Sequence, residues 1–142
     1  MHKTVMIFGT FDGIHAGHIS LIEQASLLAE KVVAVIAKDD TVKTIKGKYP
    51  LHTEEERAHV LSHIREIDKV LIGNNDDKFS VVKEIHPDVI VLGYDQEAFI
   101  DQLYEGMRKH HMNIEIVRAN SYNETKLKSG KLRSYYEGTS PV

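Results

Sequence analysis

The stretch Val5-Met6-Ile7-Phe8-Gly9-Thr10-Phe11-Asp12-Gly13-Ile14-His15-Ala16-Gly17-His18 decides the fold. It begins inside an apolar strand, read over Thr4 to Phe8, and ends where an amphipathic helix opens near His18. The chain therefore passes from strand to helix across a glycine-rich loop. Such a junction suits phosphate chemistry, because a helix N-terminus presents unpaired N–H donors and partial positive charge to an anion. Gly9, Gly13 and Gly17 let the backbone approach a ligand closely. The His-x-Gly-His spacing can direct both imidazoles into one pocket, as donors to phosphate oxygens that gain charge in a transition state. Metal ligation is a poorer fit, since Asp12 is the only further ligand nearby. A dinucleotide-binding turn would need G-x-G-x-x-G, a spacing these glycines do not have. Helix capping alone accounts for one histidine and leaves the second unexplained.

Working outward, apolar runs recur as Val32 to Ile36, Val70 to Ile72, Val89 to Leu92 and Ile114 to Val117. Their nearly continuous, β-branched character reads as strands buried on both faces. Between them, Ile19, Leu21, Ile22, Ala25, Leu28 and Ala29 form a helical stripe, and Thr53-Glu54-Glu55-Glu56 forms a capping box for a helix running toward Arg65. This alternation predicts an α/β fold: a Rossmann-like, doubly wound, parallel five-stranded sheet with helices on both faces. Ligands of such sheets bind outside the carboxyl ends of the strands. That rule gathers Thr10 and Phe11, Lys38 and Asp39, Gly73 and Asn74, Tyr94 and Asp95, and Arg118 to Tyr122 along one rim.

The chain has 142 residues, enough for one domain, taken as residues 1–137 followed by a tail of residues 138–142. Eighteen basic and 21 acidic residues leave a net charge of -3, so no global basic field argues for nucleic acid. The absence of cysteine excludes disulfides, thiolate catalysis and Cys-type zinc sites. With no export signal and no apolar run of spanning length, a cytoplasmic protein without membrane contact is expected.

Gly9-Thr10-Phe11-Asp12 followed by His15-Ala16-Gly17-His18 resembles the hallmark of the cytidylyltransferase-like nucleotidyltransferase superfamily. Leu92-Gly93-Tyr94-Asp95-Gln96 and Lys126-Leu127-Lys128-Ser129-Gly130-Lys131-Leu132 are similar in particular to the archaeal FAD synthases, with glycerol-3-phosphate cytidylyltransferases as near relatives. The resemblance covers most of the chain. It implies transfer of AMP from ATP to FMN, with a divalent cation, Mg2+, carried by the triphosphate, and it implies a homodimer. His15, His18 and Lys131 would be catalytic. Gly9, Thr10, Phe11, Ala16, Gly17, Asp95, Tyr122 and Ser129 would complete the nucleotide site. Ser129 also reads as the N-cap of a last helix, although Gly130 stands where the superfamily commonly has a second hydroxyl.

Other positions keep two readings. Lys43 and Lys46 belong either to a solvated loop or to a phosphate site, and Asp12, Arg57 and Arg65 are further candidates for acceptor or phosphate contacts, the arginines equally for helix-surface roles. Asp95 serves either a ribose or the N-cap of a helix beginning at Gln96. The remaining histidines, His52 among them, read as structural or exposed. Cytidylyl transfer to a small alcohol phosphate and a non-catalytic nucleotide-binding regulator are the alternative functions.

Overall fold

The computed structural model describes residues 2–74 and 77–122. Five parallel strands, β1 (His2–Gly9), β2 (Ala29–Ile36), β3 (Lys69–Ile72), β4 (Val89–Leu92) and β5 (Glu115–Arg118), lie in the order β3-β2-β1-β4-β5. The order reverses direction between β1 and β4, which puts the topological switch point beside the end of β1. Helices α1 (Ala16–Ser26), α2 (Asp39–Lys46), α3 (Glu54–Ser62), α4 (Ser80–Ile85) and α5 (Ile100–Lys109) connect the strands.

Alternation along each strand sorts the core into two layers. Val5, Ile7, Val32, Ala34, Val89 and Val91 meet Ile22 and Ala25 of α1 and Leu61 of α3. Met6, Phe8, Val33, Val35, Ile90 and Leu92 face the other way and meet Val82 of α4 and Leu103 of α5. Helices cover both faces, which is why the inner strands read as unbroken apolar runs. Two aspartates fasten the sheet at the end away from the loops after the strands. Asp68 accepts from Val32 N at 2.8 Å, and Asp88 accepts from Lys3 N and Thr4 N at 3.0 and 3.1 Å.

Four sequence expectations are corrected. The helical stripe beginning at Ile19 overruns its helix: α1 stops at Ser26, and Ala29 already opens β2. Residues 43–46 are not loop but the end of α2, with Asp39 and Asp40 in its first turn, Lys43 and Lys46 in its last, and Gly47 closing it at φ 83°. Gln96 opens no helix, because α5 starts at Ile100. The Thr53 capping box forms as expected, with Thr53 Oγ1 accepting from Glu56 N and Thr53 N donating to Glu56 Oε1. That helix, however, ends at Ser62, short of Arg65.

Gly106 marks the tightest contact of the second layer. A Cβ built there would collide with Phe79 Cγ, and the Phe79 ring is buried and stacked on His110 at 5.7 Å. Gly106→Ala should therefore destabilise the fold although alanine is the better helix former: overpacking of roughly 1–3 kcal/mol outweighs a propensity gain of about 1 kcal/mol. Thermal unfolding followed by circular dichroism should show a lower melting point, and a higher one would mean that Phe79 has room to move.

Candidate active site

The loops after β1, β2, β3 and β4 enclose a cavity of about 640 Å³, within the range of small-molecule sites. His15 and His18 line it from the start of α1, which follows the middle strand, with Gly9, Thr10, Phe11 and Asp12 beside them. Because β2 and β3 lie on one side of β1 and β4 on the other, the cavity is lined from two sides, a first lobe being the side lined by the segments after β2 and β3 and a second the side lined by the segment after β4. Lys38, Lys46 and Lys78 line the first lobe, and Asp95 and Glu97 the second.

The two histidines form a reciprocal cap on α1. His15 Nδ1 accepts from Gly17 N at 3.0 Å and takes part in a capping box with the backbone of His18, while His18 Nδ1 accepts from His15 N at 3.1 Å. A backbone amide can only donate, so both Nδ1 atoms must be unprotonated in these bonds. The ring proton of each neutral imidazole then sits on Nε2. Burial, followed by the charges of His15 and Lys46, lowers the pKa of His18 below its ordinary value and favours that neutral form. The rings lie 3.9 Å apart, with Phe11 5.6 Å from His18.

This corrects the expectation that the helix end offers several unused N–H groups to phosphate. Its first-turn donors point at His15 Nδ1, and polarisation of a ring that accepts on one nitrogen makes the other a stronger donor. The imidazole thus carries the helix-end field outward to Nε2. Gly17 permits the arrangement, since a Cβ there would meet the His15 ring at 2.9 Å.

The other candidate residues separate by position. Lys46 and Asp95 line the cavity, whereas Lys43 turns back to donate to Gly47 O at 3.0 Å and lies over the Tyr49 ring at 5.7 Å. Asp12 borders the cavity, yet its carboxylate is engaged: Oδ2 accepts from Leu51 N at 2.7 Å, and Oδ1 accepts from His52 N at 3.0 Å and pairs with His52 Nδ1 at 2.9 Å. Desolvation opposes ionisation there, but these bonds prevail and hold its carboxyl below the usual carboxylate range. His52, expected to lack a telling partner, is its counterpart. Arg57 does not line the cavity but is enclosed beneath the loop, 1% exposed, donating to Thr10 O, His52 O and Asp39 Oδ1. Arg65 stands almost fully in solvent against Glu66. Tyr122 is half-buried and does not line the cavity. Ser129 and Lys131 lie outside the described residues.

Arg118 organises the second lobe, a role the sequence did not reveal. Its Nη1 donates to Gly93 O, Tyr94 O and Gln96 O at 2.9, 3.3 and 2.9 Å, which shapes the turn carrying Asp95. The only local signal was a cation ending the neighbouring strand.

The profile of the cytidylyltransferase-like family matches residues 6–134, and the chain belongs to that family. It is similar to an FAD synthase of Archaeoglobus fulgidus, 42% identical over 113 residues that make up 80% of this chain and 81% of that one. It is likewise similar to an FAD synthase of Korarchaeum cryptofilum, 39% identical over 128 residues, 88% of this chain and 86% of that one. The crystal structure of a lipopolysaccharide core biosynthesis protein from Thermoplasma volcanium matches with a TM-score of 0.79 at 33% identity, covering 86% of this chain and 99% of that chain.

The cap makes a signed prediction. Since folding lowers the His18 pKa, its contribution to stability is full above the unfolded value of about 6.5 and is lost as pH falls through the lower folded value. His18→Asn keeps an acceptor oxygen but does not titrate. Lowering pH from about 7 to about 5 should therefore reduce the melting point of the wild type relative to that variant, as charging of His18 removes the acceptor for His15 N. A relative rise would mean that the imidazolium is the native form.

Proposed function

We propose that this chain is an FAD synthase, transferring AMP from ATP to FMN. The observation that carries the reading is the pair of histidines at the switch point, each with Nδ1 accepting from a backbone N–H, on a chain about two-fifths identical to archaeal FAD synthases over most of its length. An FMN phosphate oxygen attacks the α-phosphorus, a new P–O–P bridge forms, and the bond to the oxygen bridging α and β breaks in line. Pyrophosphate leaves. No covalent enzyme intermediate is needed, so the protein contributes position and electrostatics. His15 and His18 donate to oxygens that gain charge as the phosphoryl group transfers. Gly9, Thr10, Phe11, Ala16 and Gly17 shape the nucleotide pocket around them.

Charge assigns the two lobes. Lys38, Lys46 and Lys78 suit the anionic acceptor, FMN, while Asp95 and Glu97 suit the hydroxyl and amino donors of the adenosine. In this reading Ser129 and Lys131 hold the β and γ phosphates and Tyr122 joins the nucleotide side. A divalent cation, taken as Mg2+, would enter on the triphosphate and neutralise its charge. Such ions use one or two carboxylates plus substrate phosphates. No helix among the described residues is long and apolar enough to cross a membrane. A cytoplasmic homodimer completes the proposal.

Purified protein given ATP, FMN and magnesium should form FAD and pyrophosphate. Failure of a folded protein to do so, or product formation only with CTP and an alcohol phosphate, contradicts the assignment. The lobes predict a split in Michaelis constants. Lys46→Ala should raise KM for FMN about tenfold with little change for ATP, and Asp95→Asn should do the reverse, each losing one hydrogen bond that involves a charged group. Equal effects of each variant on both substrates would contradict the division.

A further inference from the structure

Arg57 is the one charged side chain fully buried among the described residues, and the transfer mechanism leaves it without a task. All three of its guanidinium nitrogens are engaged. Nε donates to His52 O at 3.0 Å, Nη1 to Thr10 O at 2.8 Å, and Nη2 to Asp39 Oδ1 at 2.7 Å. Asp12, two residues beyond Thr10, accepts from His52 N. The contacts close a circuit: Arg57 to Thr10, along the chain to Asp12, across to His52, and back to Arg57.

Phe11 is the residue inside that circuit, held between two anchored neighbours. Its φ is 54°, a left-handed value that a bulky side chain adopts only when its surroundings impose it. The ring is 2% exposed, lies 5.6 Å from the His18 ring, and occupies space that a Cβ on Gly9 would enter at 2.9 Å. The circuit thus constrains the backbone turn that seats Phe11 against His18.

We infer that Arg57 is a positioning residue, which fixes the His15/His18 loop by gripping the Thr10 and His52 carbonyls while Asp12 clamps the opposite side. It never touches phosphate. Lysine retains the charge but, as a single ammonium on a flexible stem, lacks the planar fork that meets two carbonyls and a carboxylate together. The inference rests on the two histidines being the transfer site.

The test combines pyrophosphate release from ATP and FMN with calorimetric ATP binding, at a temperature where circular dichroism shows each protein folded. Arg57→Lys should lower kcat about 100-fold, the scale of a small misplacement of reacting groups, with ATP affinity little changed. Asp12→Ala removes both acceptor oxygens, and so breaks the circuit from its outer side without leaving a buried charge unpaired; it should give the same split. It also decides the matter should Arg57→Lys not fold. Wild-type kcat in folded Asp12→Ala, or a loss of ATP affinity in Arg57→Lys that matches its loss of kcat, overturns the inference. Wild-type protein that releases no pyrophosphate overturns the functional reading instead, and the positioning role with it.

Discussion

The structure around the active site depends on how the first turn of α1 is capped. Most helices satisfy their leading N–H groups with a short Ser, Thr, Asp or Asn side chain. Here His15 does so, and His18 returns the bond to the His15 amide. A capping hydroxyl would end the interaction at the helix, whereas an imidazole has a second nitrogen on the far side of the ring. The cap that completes the helix thereby leaves Nε2 as the donor on two rings that line the cavity.

That arrangement constrains its neighbours. Gly17 must lack a Cβ for the His15 ring to fold back, and Gly9 must lack one for Phe11 to pack beneath the loop. The rings also need a fixed platform, which the parallel sheet supplies by placing β1 at its centre and bringing the ends of β2, β3 and β4 around it. Opposite charge on the two sides comes from the segments that follow those strands. A single loop after the central strand thus decides where both substrates of the proposed reaction would meet.

The strand cores were legible because helices cover both faces and leave unbroken β-branched runs. Their ends were less so: His2, Lys3, Glu30 and Lys31 are polar and exposed, yet they belong to strands through backbone pairing that side-chain patterning does not report. The overrun at Ala29 has a related cause, since apolar residues continue from helix through turn into strand and periodicity finds no break. Helix α2 was read as loop because Thr41, Val42, Thr44 and Ile45 have modest helix propensity, although its acidic start, basic end and Gly47 were usable signals. The paired histidines stood out through their spacing. Arg57 did not, because a cation suggests solvent or phosphate, and its partners are backbone carbonyls and a carboxylate in other segments. Asp12 misled similarly: its bonds to Leu51 and His52 cross 39 and 40 residues of sequence.

The account turns on the protonation pattern of two rings, and long-range 1H–15N correlation spectra of the folded protein near neutral pH observe it directly. Both His15 and His18 should show an unprotonated Nδ1 and a protonated Nε2, the tautomer their backbone partners require. Spectra showing Nδ1–H, or imidazolium, at either position would contradict the cap and the donor geometry derived from it.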